Sequence, residues 1–302
     1  MQKILITGAA GFIPSSLVDA LLKSNNYYVV GIDNMLTGRR EHVAEHKNYK
    51  FIKADANSFA DMSTIMARYA FDYVFHYAAV VGVKRTLDNP SMVLNDTAGL
   101  KNILELSKNT GVERIFFSSS SEVYGEPVEV PQHEEHTPLN SRLPYAIVKN
   151  LGESYLKSYY QEYGLNYTIF RFFNTYGERQ SEDFVIAKFI AAAKRNDDLT
   201  IFGDGLQTRT FCYIKDNIDF TLKILKDKTL INEVVNVGHH EQKTLLETAN
   251  TIKRVLGSES KIVHLPALED GDMKRRQPDN SKMLSVLGRE LTPFEEGLKK
   301  LL

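Results

Sequence analysis

The stretch TGAAGFIPSS, from Thr7 to Ser16, decides the fold. It follows the apolar run Ile4, Leu5, Ile6 and opens a segment whose apolar residues (Phe12, Ile13, Leu17, Val18, Leu21, Leu22) recur at helical spacing. That is a strand, a glycine turn and a helix. Gly8 and Gly11 let the backbone turn tightly and come close to a ligand. The helix start offers unpaired N–H groups and a positive dipole end to a phosphate. The segment reads as a dinucleotide site. The competing reading is a glycine-rich strand–helix turn with no ligand.

Downstream residues favour the ligand. YYVVGIDN (27–34) reads as a second strand ending at Asp33, 22 residues after Gly11 and near the spacing of roughly 20 expected for a ribose-binding carboxylate. A carboxylate there accepts from the adenosine ribose hydroxyls and repels a 2′-phosphate, so NAD is expected rather than NADP. Arg39 and Arg40 in the next loop argue the other way, because arginine holds a 2′-phosphate. Pro14 replaces the third glycine of the pattern. In a first helical turn it loses only an N–H that has no intrahelical partner.

A chain of 302 residues with 43% hydrophobic and 25% charged content has room for a large core and one or two domains. A net charge of −1 does not suggest a nucleic-acid or membrane-surface binder, and no apolar run approaches the roughly 20 residues that span a bilayer. The first strand starts too near Met1 for a signal peptide. The single cysteine, Cys212, excludes an internal disulfide and a zinc–cysteine cluster. A cytoplasmic location and no metal are expected; the adjacent His239 and His240, and His133 with Glu134 and Glu135, read as solvated loops.

Strand-like runs (KILITG, YYVVGID, YKFIKAD, DYVFHYAA, RIFFSSSS, NYTIFRFFN) alternate with helical patterns, which means βαβ units and a parallel sheet. Further strands are expected in GDGLQTRTFCYIKD and EVVNVG, helices over 217–227 and 243–256, and a loop-rich tail from Lys261. The fold class is α/β: a Rossmann-type doubly wound parallel sheet over 1–174, with 208–238 returning to it. A smaller, discontinuous α/β substrate domain takes most of 175–302.

Y-x-x-x-K occurs twice. Tyr49 and Lys53 lie in the strand-like YKFIK, where residues four apart are separated by roughly 13 Å. Tyr145 and Lys149 lie in the helical PYAIVKNLGESYLKSYY, where i and i+4 stack on one face. Free tyrosine has a pKa of about 10. A neighbouring ammonium and a positive nicotinamide ring favour the phenolate; lowering the pKa by about 3 takes roughly 4 kcal/mol. Tyr145 then serves as a base on a hydroxyl whose carbon is oxidised. IFFSSSSEVYG adds four hydroxyls, Ser118 to Ser121, after an apolar strand, where ligands sit in open α/β sheets.

Taken together these residues resemble the extended short-chain dehydrogenase/reductase superfamily, in its nucleotide-sugar epimerase, dehydratase and decarboxylase branch, nearly end to end. The signatures are TGAAGFIP, Asp33-Asn34, Asp55, HYAA (76–79), SSSSEVYG (118–125), PYAIVK (144–149), RFFNTYGERQ (171–180), GDGLQTRTFCYIKD (203–216) and RRQPD (275–279). The resemblance implies cofactor contacts from Gly8, Gly11, Phe12, Ile13, Asp33, Asn34, Asp55, Ala56, Ala78, Ala79 and Lys149. It implies that Ser120 hydrogen-bonds the reacting hydroxyl, that Tyr145 is the base, and that Lys149 holds the nicotinamide ribose. Asn174, Arg209 and Arg275 are implied contacts to the sugar-nucleotide diphosphate, with UDP the favoured nucleotide; an ion pair with Asp204 or Asp216 is the other reading for Arg209. The resemblance also implies a homodimer, through helices near 92–109 and 145–163.

In that branch a bound NAD oxidises C4 of the sugar to a 4-keto intermediate. Epimerases then reduce its other face, dehydratases lose water across C5–C6, and decarboxylases lose CO₂ from a uronic acid. Glu122 resembles the decarboxylase and dehydratase versions and suits proton movement at C5; Ser121, where many dehydratases carry an aspartate, argues against dehydration, and the loop VVGVKRTLDNP (80–90) and the approach NSRLPYAIVK resemble epimerases rather than decarboxylases. Lys84 and Arg85 either meet a substrate carboxylate or form a solvated loop edge. The expectation is a 4-epimerase, with decarboxylase or 4,6-dehydratase as alternatives. A non-catalytic dinucleotide-binding regulator and a one-way ketoreductase are the remaining readings.

Overall fold

The computed structural model describes residues 1–267 and 275–302, apart from the side chains of Val83 and Lys84. The first half alternates strand and helix: β1 (Gln2–Thr7), α1 (Phe12–Leu22), β2 (Tyr27–Asp33), β3 (Tyr49–Lys53), α2 (Phe59–Tyr69), β4 (Tyr73–His76), α3 (Val83–Asp88), α4 (Pro90–Thr110), β5 (Arg114–Ser120), α5 (Pro144–Tyr163) and β6 (Asn166–Phe172). Then follow β7 (Thr175–Tyr176), α6 (Val185–Arg195), β8 (Leu199–Phe202), β9 (Thr208–Thr210), β10 (Cys212–Tyr213), α7 (Ile214–Asp227) and β11 (Glu233–Val237). The remainder is β12 (Gln242–Thr244), α8 (Leu245–Leu256), β13 (Ile262–Leu265), α9 (Ser281–Leu287) and α10 (Phe294–Lys299).

Seven strands form one parallel sheet in the order β11-β6-β5-β4-β1-β2-β3. Its central strands β4 and β5 are buried along their whole length, as expected where helices cover both faces. Successive side chains alternate between two cores. Ile4, Ile6 and Phe116 face Leu17, Val18 and Ile218, whereas Leu5, Ile115 and Phe117 face Met66, Leu100 and Leu156. The strand order reverses between β1 and β4, the switch point where ligands bind in open sheets.

Local chemistry sets the helix that carries Y-x-x-x-K. Pro144 occupies the first turn of α5, and Gly164 closes it in the left-handed region. Gly152, a weak helix former, is there for space: a Cβ would stand 2.5 Å from the Phe117 ring. α5 therefore lies close against β5.

Two expectations change. The segment IKD at 214–216 begins α7 instead of continuing a strand. The tail from Lys261 is more ordered than expected: β13 pairs in parallel with β8, and α9 and α10 follow. Both depend on partners distant in sequence, which local composition does not reveal.

Candidate active site

A cavity of about 560 Å³ opens at the carboxyl ends of β1 and β4. Gly8, Gly11, Phe12, Ile13, Asp33, Asn34, Asp55, Ala56, Ala78 and Ala79 line one arm; Ser120, Glu122, Tyr145, Lys149 and Asn174 line the other.

The first arm fits NAD. Gly8 has φ +71°, and a Cβ on it would lie 3.0 Å from the Cα and N of Ala78, so only glycine lets the β1 and β4 ends close here. The first turn of α1 begins at Phe12, and Pro14 is buried in it. Asp33 accepts the Ala10 and Met35 N–H groups at 3.0 and 2.7 Å, one on each oxygen, which leaves lone pairs for a ribose. Arg39 pairs with Glu41, and Arg40 sits over Phe51. Neither lines the cavity, which removes the argument for a 2′-phosphate.

Beneath this arm, Thr7 and His76 lock the two strands. The Thr7 hydroxyl oxygen accepts the N–H groups of Tyr77 and Ala78 at 3.0 and 2.9 Å. Its own hydrogen therefore points to His76 Nδ1, 3.0 Å away. Burial and the charge of Lys149 push His76 down to about 3, so it is neutral with its proton on Nε2.

In the second arm, each of the three hydroxyls at the end of β5 has its own partner. Ser118 donates to the His76 carbonyl at 3.3 Å and accepts from Lys149 Nζ at 3.3 Å. Ser119 points to the opposite face and donates to Glu153 at 2.6 Å. Ser120 Oγ accepts the Glu122 N–H at 3.2 Å and approaches the Tyr145 phenol. Lys149 Nζ lies 5.7 Å from the Tyr145 ring centroid and 5.0 Å from that of Phe117. The second Tyr–Lys pair, Tyr49 and Lys53, spans the strand β3, as its spacing predicts.

The expected lowering of Tyr145 is not produced by these side chains. Burial raises the phenol well above its ordinary value and Glu122 raises it further, while Ser120 and Arg276 oppose. Lys149 itself is pushed down to about 8 by burial, against the pull of Asp96.

The structure places the remaining expected contacts as follows. Arg275 is exposed and off the cavity; its neighbour Arg276 lines it, buried, with Nη2 at 2.8 Å from Glu122 Oε1. Adjacent residues of an extended segment face opposite ways, so one arginine of the pair turns inward. Arg209 is buried on β9, away from the cavity lining, and donates to the Thr208 carbonyl. Asp216, one candidate partner for it, instead holds Arg289 at 2.6 Å. Asn174 reaches the cavity with φ +36° and donates to the Thr210 carbonyl at 3.0 Å. Arg85 pairs with Asp183 at 2.9 Å, and the side chain of Lys84 lies outside the described residues. Glu134 is buried, not solvated, and accepts the Asn236 N–H at 2.8 Å. Asp96, which accepts the Val80 N–H at 2.7 Å and faces Lys149, carried no motif that singled it out. No group of three metal-ligating side chains occurs among the described residues.

A switch-point cleft with the Asp33 carboxylate at one end and a Ser–Tyr–Lys set at the other fits an NAD-dependent enzyme of the extended short-chain dehydrogenase/reductase class. The chain belongs to the NAD dependent epimerase/dehydratase family, whose sequence pattern matches residues 4–238. It is similar to the Thermotoga maritima UDP-glucose 4-epimerase solved with UDP-glucose, at 33% identity and a TM-score of 0.93 over 99% of this chain and 97% of that one. The Bacillus cereus UDP-glucuronic acid 4-epimerase, solved with UDP-glucuronic acid and NAD, is 32% identical with a TM-score of 0.90, covering 99% and 98%. UDP-glucuronic acid decarboxylase 1 of Danio rerio is 34% identical over 99% of this chain and 71% of that protein.

Proposed function

We propose that the protein is a nucleotide-sugar 4-epimerase that works through a 4-keto sugar, with UDP as the nucleotide. The observation that carries this reading is the convergence of Ser120, Tyr145 and Lys149 at one end of the NAD cleft. NAD, when bound, supplies the acceptor and donor of the C4 hydride. Tyr145 takes the C4 hydroxyl proton as the ketone forms and returns it when the other face is reduced. Ser120, whose oxygen is engaged by the Glu122 N–H, directs its hydrogen to the reacting oxygen. Lys149 holds the ribose beside the nicotinamide, and Asn174 contacts the diphosphate.

Decarboxylation of a nucleotide-linked uronate is the second reading, favoured by one observation. Arg276 brings a buried guanidinium into the sugar end of the cleft, and a guanidinium is a carboxylate receptor. Against it, that guanidinium already engages Glu122 at 2.8 Å, so the carboxylate expected to move a C5 proton has one oxygen occupied.

The test is incubation with UDP- and GDP-sugars, including UDP-glucuronate, followed by NMR and mass spectrometry. An unchanged mass with inverted C4 supports epimerisation; loss of 44 or 18 mass units assigns decarboxylation or dehydration. Glu122→Gln should slow either elimination by at least about 100-fold and epimerisation far less.

No helix among the described residues is long and apolar enough to cross a membrane. A cytoplasmic role in carbohydrate biosynthesis is part of the proposal and rests on the nucleotide-sugar reading. A homodimer is part of the proposal: Leu94 on α4 and Ile147, Leu151 and Tyr163 on α5 are exposed, on two helices that pack side by side.

A further inference from the structure

Behind the cleft, and reaching its rim at Glu122 and Arg276, runs a buried polar circuit whose central members are given no part in the proposed reaction. Arg171, on β6, is the largest fully buried side chain among the described residues. Its Nη2 and Nε donate to the two oxygens of Glu153 at 2.7 and 2.9 Å. Its Nη1 donates to the Tyr124 hydroxyl at 2.8 Å and the Glu134 carbonyl at 3.1 Å. Glu153 stands one helical turn beyond Lys149 on α5 and also accepts the Ser119 hydroxyl. Tyr124 donates to Asn236 on β11 at 2.8 Å. Asn236 donates to the carbonyls of Gln132 and Asp279, and Gln132 N–H donates to the Gln277 carbonyl at 2.7 Å. Gln277 adjoins Arg276, which returns to Glu122. The circuit starts and ends on the segment 119–124.

Stability alone is a weak reason for such an arrangement, because a well-packed apolar set replaces a buried ion pair at little or no loss. What directional bonds add is register. Ser119 and Ser120 alternate across β5, so bonding Ser119 to α5 fixes where Ser120 stands relative to Tyr145 on the same helix. The Tyr124 bonds likewise hold the turn that carries Glu122.

We propose that Arg171, Glu153 and Tyr124 are positioning residues, which clamp the end of β5 to α5 and so set Ser120 and Glu122 against Tyr145 and Lys149. This rests on the reading of Ser120, Tyr145 and Lys149 as the reacting set. The test uses NAD-loaded protein carrying Ser119→Ala or Tyr124→Phe, each of which removes one hydroxyl bonded within the circuit; Ser119 borders the cavity, but its hydroxyl is spent on Glu153. Both variants should retain NAD and keep KM within about twofold, while kcat falls about tenfold, the scale of a slightly misplaced reacting group. A second readout needs no turnover: the Tyr145 phenolate absorbance, identified by its loss in Tyr145→Phe, titrated against pH. Because Ser120 lowers that phenol and Glu122 raises it, its midpoint should rise by at least about half a pH unit in Ser119→Ala, and shift by a similar amount in Tyr124→Phe, where the turn that carries Glu122 is freed. Unchanged kcat and an unmoved midpoint in both would overturn the clamp. No turnover by the unaltered protein on any sugar, with the midpoint still shifting in the variants, would overturn the proposed activity and leave the clamp standing.

Discussion

Lys149→Met should make the NAD-free protein more stable while destroying its function. The ammonium is buried, and burial pushes it from 10.5 to about 8. At about 1.4 kcal/mol per pH unit, keeping it charged in the fold costs roughly 3 kcal/mol. Methionine fills a similar volume without that cost. It forfeits the 3.3 Å contact with Ser118 and the position over Phe117, together about 1 kcal/mol. The net gain is about 2 kcal/mol, or about 4 °C in Tm for a chain of this length. The sign has a pH signature. The lysine's folded value lies below its unfolded one, so between about pH 8 and 10.5 the unfolded chain holds a proton that the folded chain has shed. The unaltered protein therefore regains stability over that window, and the gap between the two proteins should be widest below pH 8 and close towards pH 10.5. Calorimetry of NAD-stripped protein from pH 6.5 to 10 checks it. A variant that melts lower at pH 7, or a gap that does not change with pH, refutes the reasoning.

Three further outcomes are expected. Tyr145→Phe should lower kcat by about 10³-fold yet co-purify with NAD; surviving turnover means another group is the base. Gly8→Ala places a Cβ 3.0 Å from the Ala78 backbone at φ +71°, a strain of about 1–2 kcal/mol, and should weaken NAD retention on gel filtration at least tenfold; full retention contradicts the close-approach argument. Glu153→Gln leaves the Arg171 guanidinium buried without its full counter-charge and should cost about 3–5 kcal/mol in urea unfolding; a loss below about 1 kcal/mol means water reaches the pair.

The sheet was legible because its signals are local. The six strands β1 to β6 announce themselves by apolar runs, and the cofactor turn by the glycines at 8 and 11. The pair Tyr145–Lys149 was separable from Tyr49–Lys53 by the period of the surrounding residues alone. Asp33 was found by its distance from that turn, since a βαβ unit has a nearly constant length.

Tertiary structure decided the rest, because it concerns groups far apart in sequence. Glu122 reads as a free carboxylate until Arg276, 154 residues later (276 − 122), is folded against it. Which of Arg275 and Arg276 faces the cleft follows from the bridge between Gln132 and Pro278, not from either side chain. Glu134 looks solvated in its polar stretch and is buried only because β11 adds to the sheet beside β6. The chemistry of Lys149 and Tyr145 depends in the same way on neighbours brought in from other elements. By itself the sequence determined periodicity and spacing, and with them the elements, the cofactor and the residues proposed to react. The charge state of those groups is a property of the dielectric around them, and that environment exists only once the chain has closed.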